Sequence, residues 1–168
     1  MSTAPSTTAT STTEQTAVQP IPEGTSAVAP QLTVNGADRA LAFYAEVFGA
    51  TELSRLPSPD GRILHAVFEI GGTQLYISDD FAEYGSEAAP DPTRTTAAVG
   101  LYAYVEDVDA TFAKALDLGA RTLMPVEDQF WGDRFGKLID PFGHVWAVAT
   151  HVRDVSPEEM QDAMAAMA

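Results

Sequence analysis

Two stretches of this chain, ADRALAFYAEVFGA (residues 37–50) and VDATFAKALDLGA (residues 108–120), end on the same Gly-Ala pair seventy positions apart. Two further glycines repeat at a spacing of 71, Gly61 with Gly132 and Gly72 with Gly143. A fixed period of this length means one supersecondary unit used twice. In the first copy, Ala37, Ala40, Leu41, Tyr44, Val47 and Phe48 recur at helical spacing, and Gly49 stands where a helix stops. PQLTV before this helix reads as a strand. ILHAVFEI after it alternates, and Gly71-Gly72 turns it into the strand TQLYIS. The second copy runs VGLYAYV, the helix DVDATFAKALDLG, then RTLMPV, RFGKLID and HVWAVAT. Each copy is a strand, a helix and three strands. Such a unit covers one sheet face with its helix and leaves the other open. The fold class expected is α+β: two βαβββ units forming an eight-stranded, cupped, mixed sheet with helices on its outer face.

The expected boundaries follow. Residues 1–28 are rich in Ser and Thr, carry no aromatic residue and no Lys or Arg, and read as a disordered tail. The paired domain spans 29–152, with units at 29–80 and 97–152. The segment between them, rich in acids with two prolines, reads as a connecting loop. Ser156-Pro157-Glu158-Glu159 has the form of a capping box with proline at the first helical position, so 153–168 reads as a terminal helix.

Alternation assigns side chains to faces. Leu32, Val34, Leu64, Ala66, Phe68, Leu75, Ile77, Leu101, Ala103, Trp146 and Val148 are expected against the helices. Gln31, Thr33, His65, Val67, Glu69, Gln74, Tyr76, Ser78, Tyr102, Tyr104 and Val145 are expected to line the cup. His65 and Glu69 share a face about 13 Å apart and do not touch. His65 reads either as a general base or hydrogen-bond donor to a ligand, or as a polar side chain in a wet cavity. Glu69 is the weaker candidate for a base. Tyr76, Tyr102 and Tyr104 offer flat apolar faces with a hydroxyl handle, and if the cup takes a ligand His65 faces it beside Tyr76 and Tyr102. Trp131 is placed at a cleft rim. Arg134 reads as partner to a ligand anion or to nearby Asp133 or Asp140. His144 and His151 read as solvent-facing.

The charge pattern narrows the partners. A formal net charge of −15 argues against nucleic acid and anionic membrane surfaces, which need basic patches, so neither is expected as a partner. The absence of cysteine removes disulfides, thiolate metal sites and cysteine nucleophiles and fits a cytoplasmic location. No phosphate-binding loop, dinucleotide fingerprint, nucleophile elbow or His-Glu-x-x-His is present.

LTVNGADRALAFYAEVFGA, YVEDVDATFAKALDLGA and DPFGHVWAVATH resemble the vicinal oxygen chelate superfamily of glyoxalase, bleomycin-resistance and extradiol dioxygenase relatives. With FWGDR just upstream, the last is most similar to the PhnB-like branch. The resemblance covers about residues 29–152 and implies the paired unit and a cleft that binds small molecules. In metal-binding members it also implies His, Gln or Glu at one position in the first and last strand of each unit. Carried onto this chain, those positions are Ala29, Tyr76, Gly100 and Ala147, so no metal and no other cofactor is expected. Two functions remain open. One is a metal-free binder of small molecules, acting by sequestration, in resistance, or as a metabolic accessory. The other is a glyoxalase-type lyase or isomerase using His65 or Glu69 as base, with or without a divalent metal. A homodimer is expected, with Met160, Ala163, Met164 and Met167 forming an apolar stripe on the terminal helix.

A chain beginning at Pro22 is expected to melt within about two degrees of full length, because a tail without aromatic residues contributes no core. Differential scanning calorimetry of the two forms checks this, and a ten-degree loss would refute it.

Overall fold

The computed structural model describes residues 18–22, 24–85, 87–94 and 97–166. Most of the tail expected to be disordered, residues 1–17 and 23, lies outside them. The first unit is β1 (Gln31–Val34), α1 (Ala37–Phe48), β2 (Thr51–Pro57), β3 (Ile63–Ile70) and β4 (Thr73–Asp79). The second is β5 (Gly100–Tyr104), α2 (Val108–Asp117), β6 (Arg121–Asp128), β7 (Asp133–Ile139) and β8 (Val145–His151). A terminal helix, α3 (Pro157–Ala166), follows. The paired βαβββ architecture is therefore present. Its eight strands are hydrogen-bonded as two sheets of four, in the orders β1-β4-β3-β2 and β5-β8-β7-β6.

The two sheets share one register. Parallel pairing sets Gln31 opposite Tyr76 in the first and Tyr102 opposite Ala147 in the second, 71 positions on. Antiparallel pairing sets Val67 opposite Tyr76 and Lys137 opposite Ala147. The copies also hold their helix starts alike. Asp79 accepts from the backbone N–H groups of Gly36, Ala37 and Ile63, fixing the start of α1 to β3 and β4. The equivalent Thr150 accepts from Val108 N–H and donates to Val105. Both side chains satisfy amides that a helix start leaves without partners.

The helix-facing sides of both sheets merge with α1 and α2 into one core. Tyr44, on α1, is its centre. Its ring stacks on Phe68 at 5.4 Å and lies 5.4 Å from Trp146 of the other unit, and Phe48 stacks on Trp146 at 4.4 Å. The Tyr44 hydroxyl donates to Asp140 Oδ2 at 2.8 Å, which also accepts from Trp146 Nε1 at 3.0 Å. Asp140 Oδ1 accepts from the N–H groups of Phe142 and His144, shaping the turn before β8. Burial, and then the neighbouring Asp140, push the Tyr44 phenol well above its ordinary value, so it remains a donor.

Packing agrees with the alternation except at Leu64. The rest of the helix-facing set is buried or partly buried, whereas Leu64 is exposed and Ile63 takes the buried place. A register shift between Leu56 and Pro57 causes this, because a bulge flips side-chain parity locally. His144 also departs from expectation. Instead of facing solvent, its Nε2 lies 3.2 Å from the Thr33 carbonyl oxygen and ties the second unit to β1. The capping box of α3 forms as read, with Ser156 N–H donating to Glu159 and Glu159 N–H to Ser156 Oγ.

Asp140→Ala leaves several buried donors without an acceptor, each worth about 1–3 kcal/mol, so it should cost about 3 kcal/mol or more. Tyr44→Phe removes one donor and should cost about 1–2 kcal/mol. Urea unfolding of both variants checks the order, and equal small losses would show that Asp140 does not hold the units together.

Candidate functional site

The faces turned away from the helices form two walls, one per unit. On the first wall, His65 and Tyr76 are neighbours, with ring centroids 5.4 Å apart. This brings together two of the expected site residues. Glu69 lies farther along β3 beside Gln74 and does not join them.

The second wall is aromatic and carries a cavity of about 420 Å³ lined by Tyr102, Trp131, Phe135, Lys137, Val145 and Ala147, among others, and by no residue of the first wall. The register explains why the cavity is here. Ala147 occupies the place that Tyr76 fills in the first unit, so the volume of a phenol ring is vacated between Tyr102 and Lys137. Trp131 lines the cavity, edge-on to Phe135 at 5.7 Å. Tyr102 lies 5.8 Å from Phe135 and is about half exposed (52%).

Behind these rings sits Asp133, whose side chain is almost wholly covered. It accepts from Tyr104 OH at 2.9 Å, Tyr102 OH at 3.3 Å and Trp131 Nε1 at 3.1 Å, and His151 Nδ1 lies 2.8 Å away. Burial pushes the Asp133 carboxyl up, but the bonds from His151, Tyr104, Trp131 and Tyr102 together outweigh it and hold it below the usual range. Burial, helped by Tyr104 and Asp133, raises the Tyr102 phenol far above its ordinary value. One carboxyl thus orients three aromatic side chains of the wall. The turn that presents Trp131 requires glycine at 132: its φ is +98°, and a Cβ there would lie 2.0 Å from the Arg153 carbonyl oxygen.

Arg134 points the other way. Its guanidinium is held by Asp109 at 2.6 and 2.7 Å and by Asp128 at 3.1 Å, on the α2 side of β7, not by Asp133 or Asp140. It does not reach the cavity. His151 is exposed, as its reading as solvent-facing has it, and also bridges Asp133 and Asp154. Lys137 was not among the expected residues. Continuing the alternation from Asp133 through Phe135 would have placed it on the wall.

Of the positions that the resemblance carries over as metal-ligand positions, Ala29 lies before β1, and Ala29, Tyr76, Gly100 and Ala147 together offer one phenol oxygen. Among the described residues no group of three His, Asp or Glu is placed to hold a metal ion. This donor set does not fit the metal centre.

Residues 26–148 match the family model described as the glyoxalase/bleomycin resistance protein/dioxygenase superfamily. The chain belongs to this superfamily. It is 41% identical over 139 residues to an uncharacterized protein of Mycobacterium bovis, covering 82% of this chain and 91% of that one. Among solved structures, TioX from Micromonospora sp. ML1 superposes with a TM-score of 0.56 at 27% identity, covering 76% of this chain and 99% of that one. A PhnB protein from Bacillus cereus gives 0.60 at 23% identity, covering 74% and 99%. The fosfomycin resistance protein FosX from Listeria monocytogenes, solved with Mn(II), gives 0.57 at 16% identity, covering 81% and 97%. The last two show the shared fold. Members of the superfamily bind small molecules, and no helix among the described residues is long and apolar enough to cross a membrane.

His151 makes the wall sensitive to pH. Hydrogen bonding to Asp133, and then to Asp154, raises its imidazole above the ordinary value. Its contribution to stability is therefore complete below about pH 6.5 and is lost as pH rises through the raised value. The melting temperature of the wild type should exceed that of His151→Asn most at pH 6 and least at pH 9. Calorimetry across that range checks it, and a constant difference would refute it.

Proposed function

We propose that this protein is a metal-free binder of a small molecule, held on the second wall, and that it works as a homodimer. The observation that carries this reading is the aromatic cavity opened by Ala147 between Tyr102 and Lys137, with its rings oriented by Asp133. Its size and lining, mostly apolar with a few polar atoms, are those of a small-molecule pocket. The ligand positions of the metal-binding relatives are filled here by side chains that supply almost no donors. His65 and Tyr76 form a second polar patch on the first wall, available to a ligand that spans both. The lyase or isomerase reading needs His65 or Glu69 at the reacting atoms, whereas the cavity is built by the other unit.

Two features support the homodimer. Tyr102 and Tyr104 are more than half exposed on the open wall, and α3 buries none of its residues, with Met164 60% exposed. Large exposed apolar surface of this kind is commonly covered by a partner. A second copy of the chain satisfies that need by symmetry.

A thermal-shift screen of small molecules against wild type and Ala147→Leu tests the reading. Hits should stabilise the wild type and be lost in the variant, whose added side chain fills the cavity. Hits retained in the variant would place the site elsewhere. Near-stoichiometric transition metal in the purified protein would overturn the metal-free reading, and a monomer by light scattering at micromolar concentration would overturn the dimer.

A further inference from the structure

Resting on the small-molecule reading above, we propose that the cavity selects a planar aromatic anion, its ring held by Trp131, Phe135 and Tyr102 and its acid group by Lys137. Among the described residues Lys137 is the only cation lining this cavity. It lies in the middle of β7, with Ala147 opposite on β8 and Met124 opposite on β6, so neither flank supplies an acceptor side chain. The chain has 24 acidic residues against nine Lys and Arg. Of the other eight, Arg55, Arg62, Lys114, Arg134 and Arg153 pair with carboxylates, while Arg39 and Arg121 donate to backbone carbonyl oxygens. Among the described residues Lys137 has no such partner. Its ammonium lies 5.9 Å from the Phe135 ring centroid, near the outer limit for a cation–π contact. A half-buried ammonium on an apolar wall gains from an anion far more than a solvated one does.

The neighbouring acid does not cancel this charge. Asp133 is four residues away along the strand, about 13 Å. Its oxygens are engaged by Tyr102, Tyr104, Trp131 and His151, and the last brings positive charge of its own when protonated. The first wall carries Val67 where the second carries Lys137, so the cation occurs only where the cavity occurs. The flat side of the ligand follows from the lining. Trp131 and Phe135 meet edge to face while Tyr102 tilts over Phe135, and such a set of rings favours a flat ring stacked among them.

The test uses the full-length protein with 2-naphthoate and its neutral counterpart 2-naphthamide, read by quenching of tryptophan fluorescence. Trp131 in the cavity lining reports binding while Trp146 is shielded in the core. Wild type should bind naphthoate about tenfold or more tightly than naphthamide. Lys137→Met should bind both alike at the naphthamide level, and Lys137→Arg should keep the preference. Equal binding of the two probes by wild type, or a preference that survives in Lys137→Met, would overturn the charge selection while leaving the cavity reading intact. Binding of neither would overturn the proposed ligand class, and the Ala147→Leu screen then decides separately whether the cavity binds anything. Should Lys137→Met fail to fold, the wild-type preference and its decline with added salt decide the matter.

Discussion

Tyr44, Asp140 and Trp146 make the joint on which the molecule depends. The units are each a sheet with one helix, and neither closes a core alone. A phenol from the first unit and an indole from the second donate to one buried carboxyl, while their rings pack beside Phe48 and Phe68. The same carboxyl shapes the turn into β8 through two backbone amides. A single side chain thus specifies the local turn and the pairing of the halves. Buried polar networks have this force when every member is satisfied, and no buried side-chain nitrogen or oxygen among the described residues lacks a partner.

This joint decides where a ligand can go. Because both sheets turn their helix-facing sides into the shared core, the opposite faces are left for other uses. Asp133 repeats on the open face what Asp140 does inside: one carboxyl collects donors from several aromatic side chains and fixes their orientation. The difference lies in access. Asp140 is sealed under the turn, whereas Asp133 sits behind rings that are half exposed, with His151 reaching it from the solvent side.

The repeat, the helices and the packed faces were legible because each depends on periodicity, which survives in one sequence. Leu64 was misplaced because a bulge shifts parity, and the proline at it, Pro57, lies on the partner strand β2 and not on β3 itself. The roles of Asp133, Asp140, His144 and His151 were hidden for a different reason. Each joins residues distant in sequence, as His144 joins Thr33 and Asp140 joins Tyr44, and no spacing rule reports such pairs. Arg134 shows the cost of reasoning from sequence neighbours. Asp133 stands next to it in the chain and on the opposite face of the strand, while its true partner Asp109 comes from α2.

The two copies keep one backbone register and have diverged in what they place on it. Gln31 and Tyr102 are equivalent, as are Tyr76 and Ala147, and Val67 and Lys137. On the first wall the large residue sits on the last strand and fills the concavity. On the second it has moved to the first strand, and alanine leaves a gap behind it. Tyrosine with alanine fills less volume than glutamine with tyrosine, and the difference is left empty to one side of Tyr102. With lysine where the first unit has valine, at the edge of that gap, the second wall holds a cavity with a charge in it. The two walls share one register, and three differences at equivalent positions open the charged aromatic cavity beside Tyr102 on the second.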